Sequence, residues 1–145
     1  MPLAIATKDE ERKRMIAVGA ICSATIFRVD SIPPPPAKVL PTERCQLVDG
    51  MAISAAYAFS KLGGSAQVWS RIGDDRLGVA ARESLSEEGI DTAGLHTVPG
   101  SATSQVAIIV DRHGDRLVVP FHDQPVDKSA HRLPLSEIAR AAFVH

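Results

Sequence analysis

Cysteine and net charge are both scarce in this chain. Its 145 residues include two cysteines, Cys22 and Cys45, each in an apolar stretch, and nothing at the N-terminus reads as a secretory leader. Two reduced, buried thiols in a cytoplasmic protein are expected, not a disulfide framework. Lys and Arg number 16 against 17 Asp and Glu, a formal net charge of −1, and no basic stripe occurs outside the N-terminus. That balance argues against nucleic acid and anionic membrane as partners. Long apolar runs are missing as well, since none approaches the roughly 20 residues that cross a bilayer. The chemical signatures of several enzyme classes are also absent. There is no G-x-x-x-x-G-K-[ST] loop and no G-x-G-x-x-G after the first apolar run, where Gly19 stands alone; P-loop and dinucleotide sites lack their phosphate cradles. His96, His113, His122, His131 and His145 have no metal-ligand spacing, and neither cysteine lies in a C-x-x-C pair, so no metal site is expected. No serine occupies a G-x-S-x-G elbow, which removes the support for a hydrolase.

What is present is apolar and ordered in pattern. A hydrophobic content of 45% suffices for one core. Met1 to Ala6 is too short for a signal segment, and the run from Lys8 to Arg14 is wholly charged. Residues 1–14 are therefore expected to be a disordered, solvated tail, with the folded part starting at Met15. From there Met15 to Ile21 is a continuous apolar run, the pattern of a strand buried on both faces at the centre of a parallel sheet. Thr25 to Val29 is rich in β-branched and aromatic residues, and Pro33 to Pro36 make a stiff connection.

Between Asp49 and Gly64 the period changes. Ala52, Ala55, Phe59 and Leu62 form one helical stripe, with Asp49 able to cap its start and Gly63 its end. The abundance of alanine lets this helix lie close to its neighbour. Ala66 to Ile72 reads as a strand, Leu77 to Glu88 as a second helix ending at Gly89, and this alternation is the α/β signature. Gln105 to Val110 and Arg116 to Phe121 flank the polar turn Asp111 to Asp115 and read as a hairpin, with Pro120 placing its second arm at a sheet edge. A short helix around Leu135 to Arg140 leads into Ala141 to His145, which reads as a strand opening a new βα unit. Such a strand needs a covering helix, so the fold is expected to be incomplete.

Two segments stand out. Asp49, Gly50 and Ser54 open the alanine-rich helix, and Gly73, Asp74, Asp75 and Gly78 form the turn after the next strand. Singly, each has a structural explanation: Asp49 and Gly50 as a helix cap, Asp74 and Asp75 as caps of the second helix, and Gly78 as a point of close packing.

In this order they resemble the ribokinase/PfkB family of carbohydrate kinases, in which a Gly-Gly pair and an Asn open an alanine-rich helix and a G-D-D-x-x-G turn follows the next strand. The resemblance runs from about Met15 to His145 and implies the N-terminal part of a doubly wound α/β sheet with a small β lid, its strands at about 25–48 and 95–122. It implies transfer of the γ-phosphoryl group of ATP, with Mg²⁺, to a sugar hydroxyl. It also implies a substrate site at Asp49, Gly50 and Ser54, a structural role for Gly73, Asp74, Asp75 and Gly78, and dimerisation through the lid. The catalytic base and the nucleotide pocket of such kinases lie in their C-terminal half. No catalytic residue is therefore expected in this chain, which by itself is expected to bind no ATP or Mg²⁺ and to be inactive.

Three positions depart from the family pattern. Ala24 stands where the family's first strand ends in a sugar-binding Asp, Asp49 replaces the first Gly of the pair, and Ser54 replaces the Asn. The hydroxyl at Ser54 and the hairpin core Ser104 to Asp111 are similar to sulfofructose-kinase-like members. A non-catalytic module that binds sugars or dimerises, or an inactive remnant, is the alternative that these departures keep open.

Overall fold

A computed structural model of the chain describes residues 13–128 and 135–145. The charged run expected to fray lies, up to residue 12, outside the described residues, as does His131. In chain order the elements are β1 (Arg14–Val18), β2 (Cys22–Arg28), β3 (Glu43–Asp49), α1 (Met51–Lys61), β4 (Ser65–Gly73) and α2 (Arg76–Glu87). They continue with β5 (Leu95–Val98), β6 (Gln105–Val110), β7 (Arg116–Phe121), α3 (Gln124–Lys128), α4 (Leu135–Ile138) and β8 (Phe143–Val144).

These strands form two sheets, β5-β4-β1-β8, which is parallel, and β3-β2-β6-β7, which is mixed. Strand β1 is central in the first, as its apolar run requires, and Met15, Ile16 and Ala17 are buried. The run does not stay in one strand, however. It breaks at Gly19 to Ile21, and the chain crosses there into β2 of the second sheet. One face of the first sheet is covered by α1 and α2, whose Ala52, Ile53, Ala56, Ala81 and Leu85 join Met15, Ala17, Val68 and Ile72 in the main core. Leu62, expected on the inward stripe, is 86% exposed; the buried stripe runs through Ile53 and Ala56 instead. Alanine does let α1 come close, because a Cβ added at Gly19 would stand 3.0 Å from the Ala52 Cβ. Both helices end in Schellman motifs with Gly63 (φ 90°) and Gly89 (φ 74°) at the left-handed position. The bonds are Gly64 N–H to the Phe59 carbonyl and Gly63 N–H to that of Ser60, with Ile90 and Gly89 repeating the pattern on Leu85 and Ser86.

The other face of the first sheet carries Gln67 and Trp69 and is packed on by α3, through the buried Val126. Arg14 ties α4 to the sheet, donating to Gln67 Oε1 at 2.7 Å and to Glu137 Oε2 at 2.8 Å. Strand β8 lies parallel to β1, Met15 opposite Phe143 and Ile16 opposite Val144. The strand expected within residues 141–145 is therefore present, at Phe143–Val144.

In the second sheet, β6 and β7 form the expected hairpin, and β7 with Pro120 is its edge. Strand β5 corrects the lid boundaries expected at 95–122, because it pairs with β4 in the first sheet. The cysteines correct a second expectation: both thiols are free, but Cys45 is exposed and Cys22 only half-buried. Among the described residues no helix is long and apolar enough to cross a membrane.

Candidate functional site

The two sheets meet where β1 passes into β2, and the segment at the start of α1 is packed against that crossing. Gly50 makes the contact possible. Its φ is 144°, and a Cβ there would lie 2.3 Å from the Ala20 carbonyl oxygen. A side chain would have to push the helix away from the crossing, so this position needs glycine for both conformation and space.

Asp49 does not cap α1 in the expected way. The N-cap is Gly50, no side chain caps the helix, and the Asp49 carboxylate accepts instead from the Gly50 N–H at 2.8 Å. One bond leaves acceptor capacity on a carboxylate. Across the β2–β3 ladder Asp49 is opposite Cys22, and Leu47 is opposite Ala24. Side chains opposite and two apart share a face, so Asp49 stands diagonal to Ala24 at roughly 7–8 Å by sheet geometry. Asp49 thus puts a carboxylate at the end of β3 on the face that carries Ala24. Ala24 itself is fully buried, whereas Ser54, one turn into α1, is exposed. Cys22 is held by a long sulfur contact of 3.6 Å to the Asp49 carbonyl, and burial, then the Asp49 charge, raise its thiol pKa above the ordinary value. Cys22 is a neighbour that sequence reasoning missed, since only the ladder register reveals it.

The second motif folds into a compact turn. Asp75 is the N-cap of α2, its Oδ1 accepting from Gly78 N–H at 2.8 Å. Asp74 corrects an expectation, because it does not cap α2. Its Oδ2 accepts from Gly100 N–H at 2.9 Å across the turn. The main partner of the motif is Thr103, wholly buried, which no sequence pattern marks. Its N–H donates to Asp75 Oδ2 at 2.9 Å, its hydroxyl donates to Asp75 Oδ1 at 2.6 Å, and Gly73 N–H donates to that hydroxyl at 3.0 Å. Burial pushes the Asp75 carboxyl up, but the Thr103 hydroxyl, the Thr103 N–H and the Gly78 N–H together bring it below the usual carboxylate value. The site trio and this turn are thus separate constellations, one at the start of α1 and one at the start of α2.

A cavity of about 650 Å³ opens beside the carboxyl ends of β1 and β4, lined in part by Gly19, Ala20, Ser70, Arg71 and Ser104. It includes none of Asp49, Gly50 and Ser54, and its outer wall is Val126 and Glu137, on either side of residues outside the described set. The carboxyl edge of a parallel sheet is where ligands bind in open α/β folds, and both the cavity and the trio lie on it. Among the described residues, no group of three or more His, Cys, Asp or Glu is placed to hold a metal ion.

Comparison with known proteins agrees with this fold. Residues 12–145 match the pfkB family carbohydrate kinase model. A crystal structure of a candidate ribokinase from Agrobacterium tumefaciens superposes with a TM-score of 0.87 at 41% identity, over 92% of this chain and 44% of that one. Fructokinase from Halothermothrix orenii shares the fold at a TM-score of 0.76 and 18% identity, over 91% of this chain and 45% of its own. An ATP-dependent ribose-1-phosphate kinase of Halopiger xanaduensis is 28% identical over 106 residues, 73% of this chain and 36% of that protein. The chain thus spans less than half the length of these relatives. With the match running through both sheets and both motifs, the chain belongs to the pfkB family of carbohydrate kinases.

Proposed function

We propose that this chain is the N-terminal, sugar-binding and lid part of an ATP-dependent kinase that transfers the γ-phosphoryl group to a sugar hydroxyl. Residues 15–145 would be one unit, with β2, β3, β6 and β7 as the lid. The observation that carries the reading is the carboxylate of Asp49 at the crossing of the two sheets, on the same face as Ala24; Ser54, in the first turn of the helix that follows, is exposed. A sugar presents several hydroxyls in fixed array. A carboxylate accepts from two of them, and a serine hydroxyl donates to or accepts from a third. Asp49 then takes over the anchoring role that Ala24 cannot fill, moved from β2 to β3, and the change of position alters which hydroxyls are held. Gly50 keeps α1 against the crossing so that its N-terminal dipole faces the substrate.

In the complete kinase, nucleotide, Mg²⁺ and the catalytic base are proposed to lie outside these residues. The attacking hydroxyl oxygen would bond to the γ-phosphorus as its bond to the β–γ bridging oxygen breaks, and the hydroxyl proton would pass to the base. ATP as co-substrate fits a cytoplasmic protein. The 145-residue chain is expected to show no sugar-stimulated ATP consumption, because positioning and charge stabilisation supply nearly all of this catalysis. A coupled ADP assay showing turnover would overturn that part.

The site reading is tested by titrating the chain with fructose and ribose. Asp49→Ala removes a charge-assisted hydrogen bond worth about 1.5–3 kcal/mol, which corresponds to roughly 10- to 150-fold weaker binding of the preferred sugar. Ser54→Ala removes a neutral bond and is expected to cost about tenfold or less. Unchanged affinity in Asp49→Ala would reject Asp49 as the anchor.

A second reading is a module that binds sugar without catalysis or dimerises through the second sheet. It is favoured by the burial of Ala24 and by the half-exposed Leu117, Val119 and Phe121 on the edge strand β7. Sedimentation of the purified chain tests the association itself: a concentration-dependent dimer lost in Phe121→Glu supports association through this sheet, and a monomer at all concentrations rejects it.

A further inference from the structure

The Gly-Asp-Asp turn does not touch the proposed sugar site, and its geometry points to a different task. We propose that residues 73–78 form a socket for Thr103 that sets the position and register of β6 in the second sheet, with Asp75 as the positioning residue. The positional claim stands on geometry alone. It rests on the kinase reading only for its consequence, that a displaced β6 alters the face opposite the substrate.

Four observations converge on it. Thr103 is fully buried, and its backbone N–H and side-chain hydroxyl both end in the Asp75 carboxylate, while the hydroxyl also accepts from Gly73. The N–H and the hydroxyl of Thr103 are therefore both tied. The two glycines of the motif are the walls of the socket. A Cβ at Gly73 would stand 2.2 Å from the Ser101 carbonyl oxygen and 2.6 Å from Thr103 N, and one at Gly78 would be 2.9 Å from Thr103 Oγ1 and 2.3 Å from the Gly73 oxygen. These atoms are mostly backbone, which cannot yield as a flexible side chain would. The approach to the strand is held by further bonds, Gly100 N–H to Asp74 at 2.9 Å and Ala102 N–H to Asp123 at 2.7 Å, the second of which joins the way into β6 to the way out of β7. Finally, the pinned residue is next to the first bond between the sheets' crossing and this segment, Ser23 N–H to the Ser104 carbonyl at 2.9 Å. Two residues past Thr103 the ladder begins, with Ser23 opposite Gln105 and Ala24 opposite Val106.

A one-residue slip in a strand reverses which side chains face which way, so fixing Thr103 decides that Val106 and Ile108, not Gln105 and Ala107, share the face of Ala24. The same carboxylate also caps α2. The start of α2 and the start of β6 are thereby made to share one carboxylate, and the first sheet carries the second at that point.

Hydrogen exchange on the full chain tests the socket, because it reads each sheet separately. Thr103→Val keeps the shape and removes the hydroxyl; Asp75→Asn keeps a cap acceptor and sets an amide donor against the donors of Thr103. Both are expected to speed exchange of the β2 and β6 amides at least tenfold while β1 and β4 amides change less than about threefold. Thr103→Ser is expected to restore exchange to within about twofold of the parent. Equal acceleration in both sheets would make the turn a general stability element and overturn the proposal, as would unchanged exchange in β6. Should Thr103→Val fail to fold, Thr103→Ser still decides. Lid exchange near the parent value supports the hydroxyl as the held group, and lid exchange raised tenfold or more refutes it.

Discussion

The two sheets use the same kinds of residue to different ends. In the parallel sheet, Ile16, Ala17, Val68 and Ile72 are almost wholly buried, with α1 and α2 on one face and α3 on the other. In the mixed sheet, every residue of β7 is exposed, and Leu117, Val118, Val119 and Phe121 are about half accessible. Both are rich in β-branched and aliphatic side chains. The difference lies in what covers them, so the first sheet derives its stability from buried apolar area and the second from its ladder bonds and from the points where it is tied to the first. Hydrophobic composition alone does not separate a core from a surface that waits for something to cover it.

The strongest way to break this contrast is to cut into the parallel sheet. Ile16→Ala deletes a fully buried side chain on the central strand and is expected to cost about 2–5 kcal/mol, read as a lowered midpoint in urea. A loss below about 1 kcal/mol would mean that the central strand is not packed as described. Gly78→Ala comes next. Its new Cβ would meet the Gly73 carbonyl oxygen at 2.3 Å, and overpacking against backbone typically costs about 1–3 kcal/mol. Here the comparison is internal. Gly63→Ala opens onto empty space and suffers only from a φ of 90°, so it is expected to cost less, about 1 kcal/mol.

The contrast also explains what the sequence could reveal. Continuous apolar runs and alanine spacing betrayed β1, α1, β4 and α2, because burial on two faces leaves a run and burial on one leaves a stripe. The hairpin β6–β7 was legible from its polar turn, where Gly114 takes a φ of 89°. Strand β3 was not legible from pattern, since Glu43, Arg44, Cys45 and Gln46 are all exposed and no alternation marks them. The assignment of β5 to the first sheet was hidden for another reason: four residues carry no information about which neighbour they pair with. Of the candidate site, Asp49 and Gly50 could be named from their place before the helix. Thr103 could not, because its role comes from a contact 28 residues away along the chain.

A third prediction concerns acid. The folded carboxyl of Asp75 lies below its ordinary value because Thr103 and Gly78 hydrogen bonds outweigh its burial. Its contribution to stability is therefore complete above the unfolded value of about 3.9 and is lost as pH falls through the lower folded value. Urea unfolding from pH 6 to pH 3 should show the parent chain losing stability relative to Asp75→Asn below about pH 4. If the two curves stay parallel, the carboxylate is not held in its charged form and the tie between the sheets is weaker than the geometry implies.

The smallest effect is expected on β7, and it sharpens the comparison most. Val119 is 55% exposed on the edge strand, and Thr keeps its β-branched shape and strand preference, so Val119→Thr should change the stability of the isolated chain by no more than about 0.5 kcal/mol. The same substitution in a core strand would bury an unpaired hydroxyl and cost about 1–3 kcal/mol. The measurement is best made at two protein concentrations. A small, concentration-independent change says that the face of β7 is a free surface. A larger loss at high concentration says that a second copy covers it, since replacing valine by threonine is costly where the new hydroxyl is removed from water. In that event the mixed sheet has the same need as the parallel one, met by a partner instead of by helices.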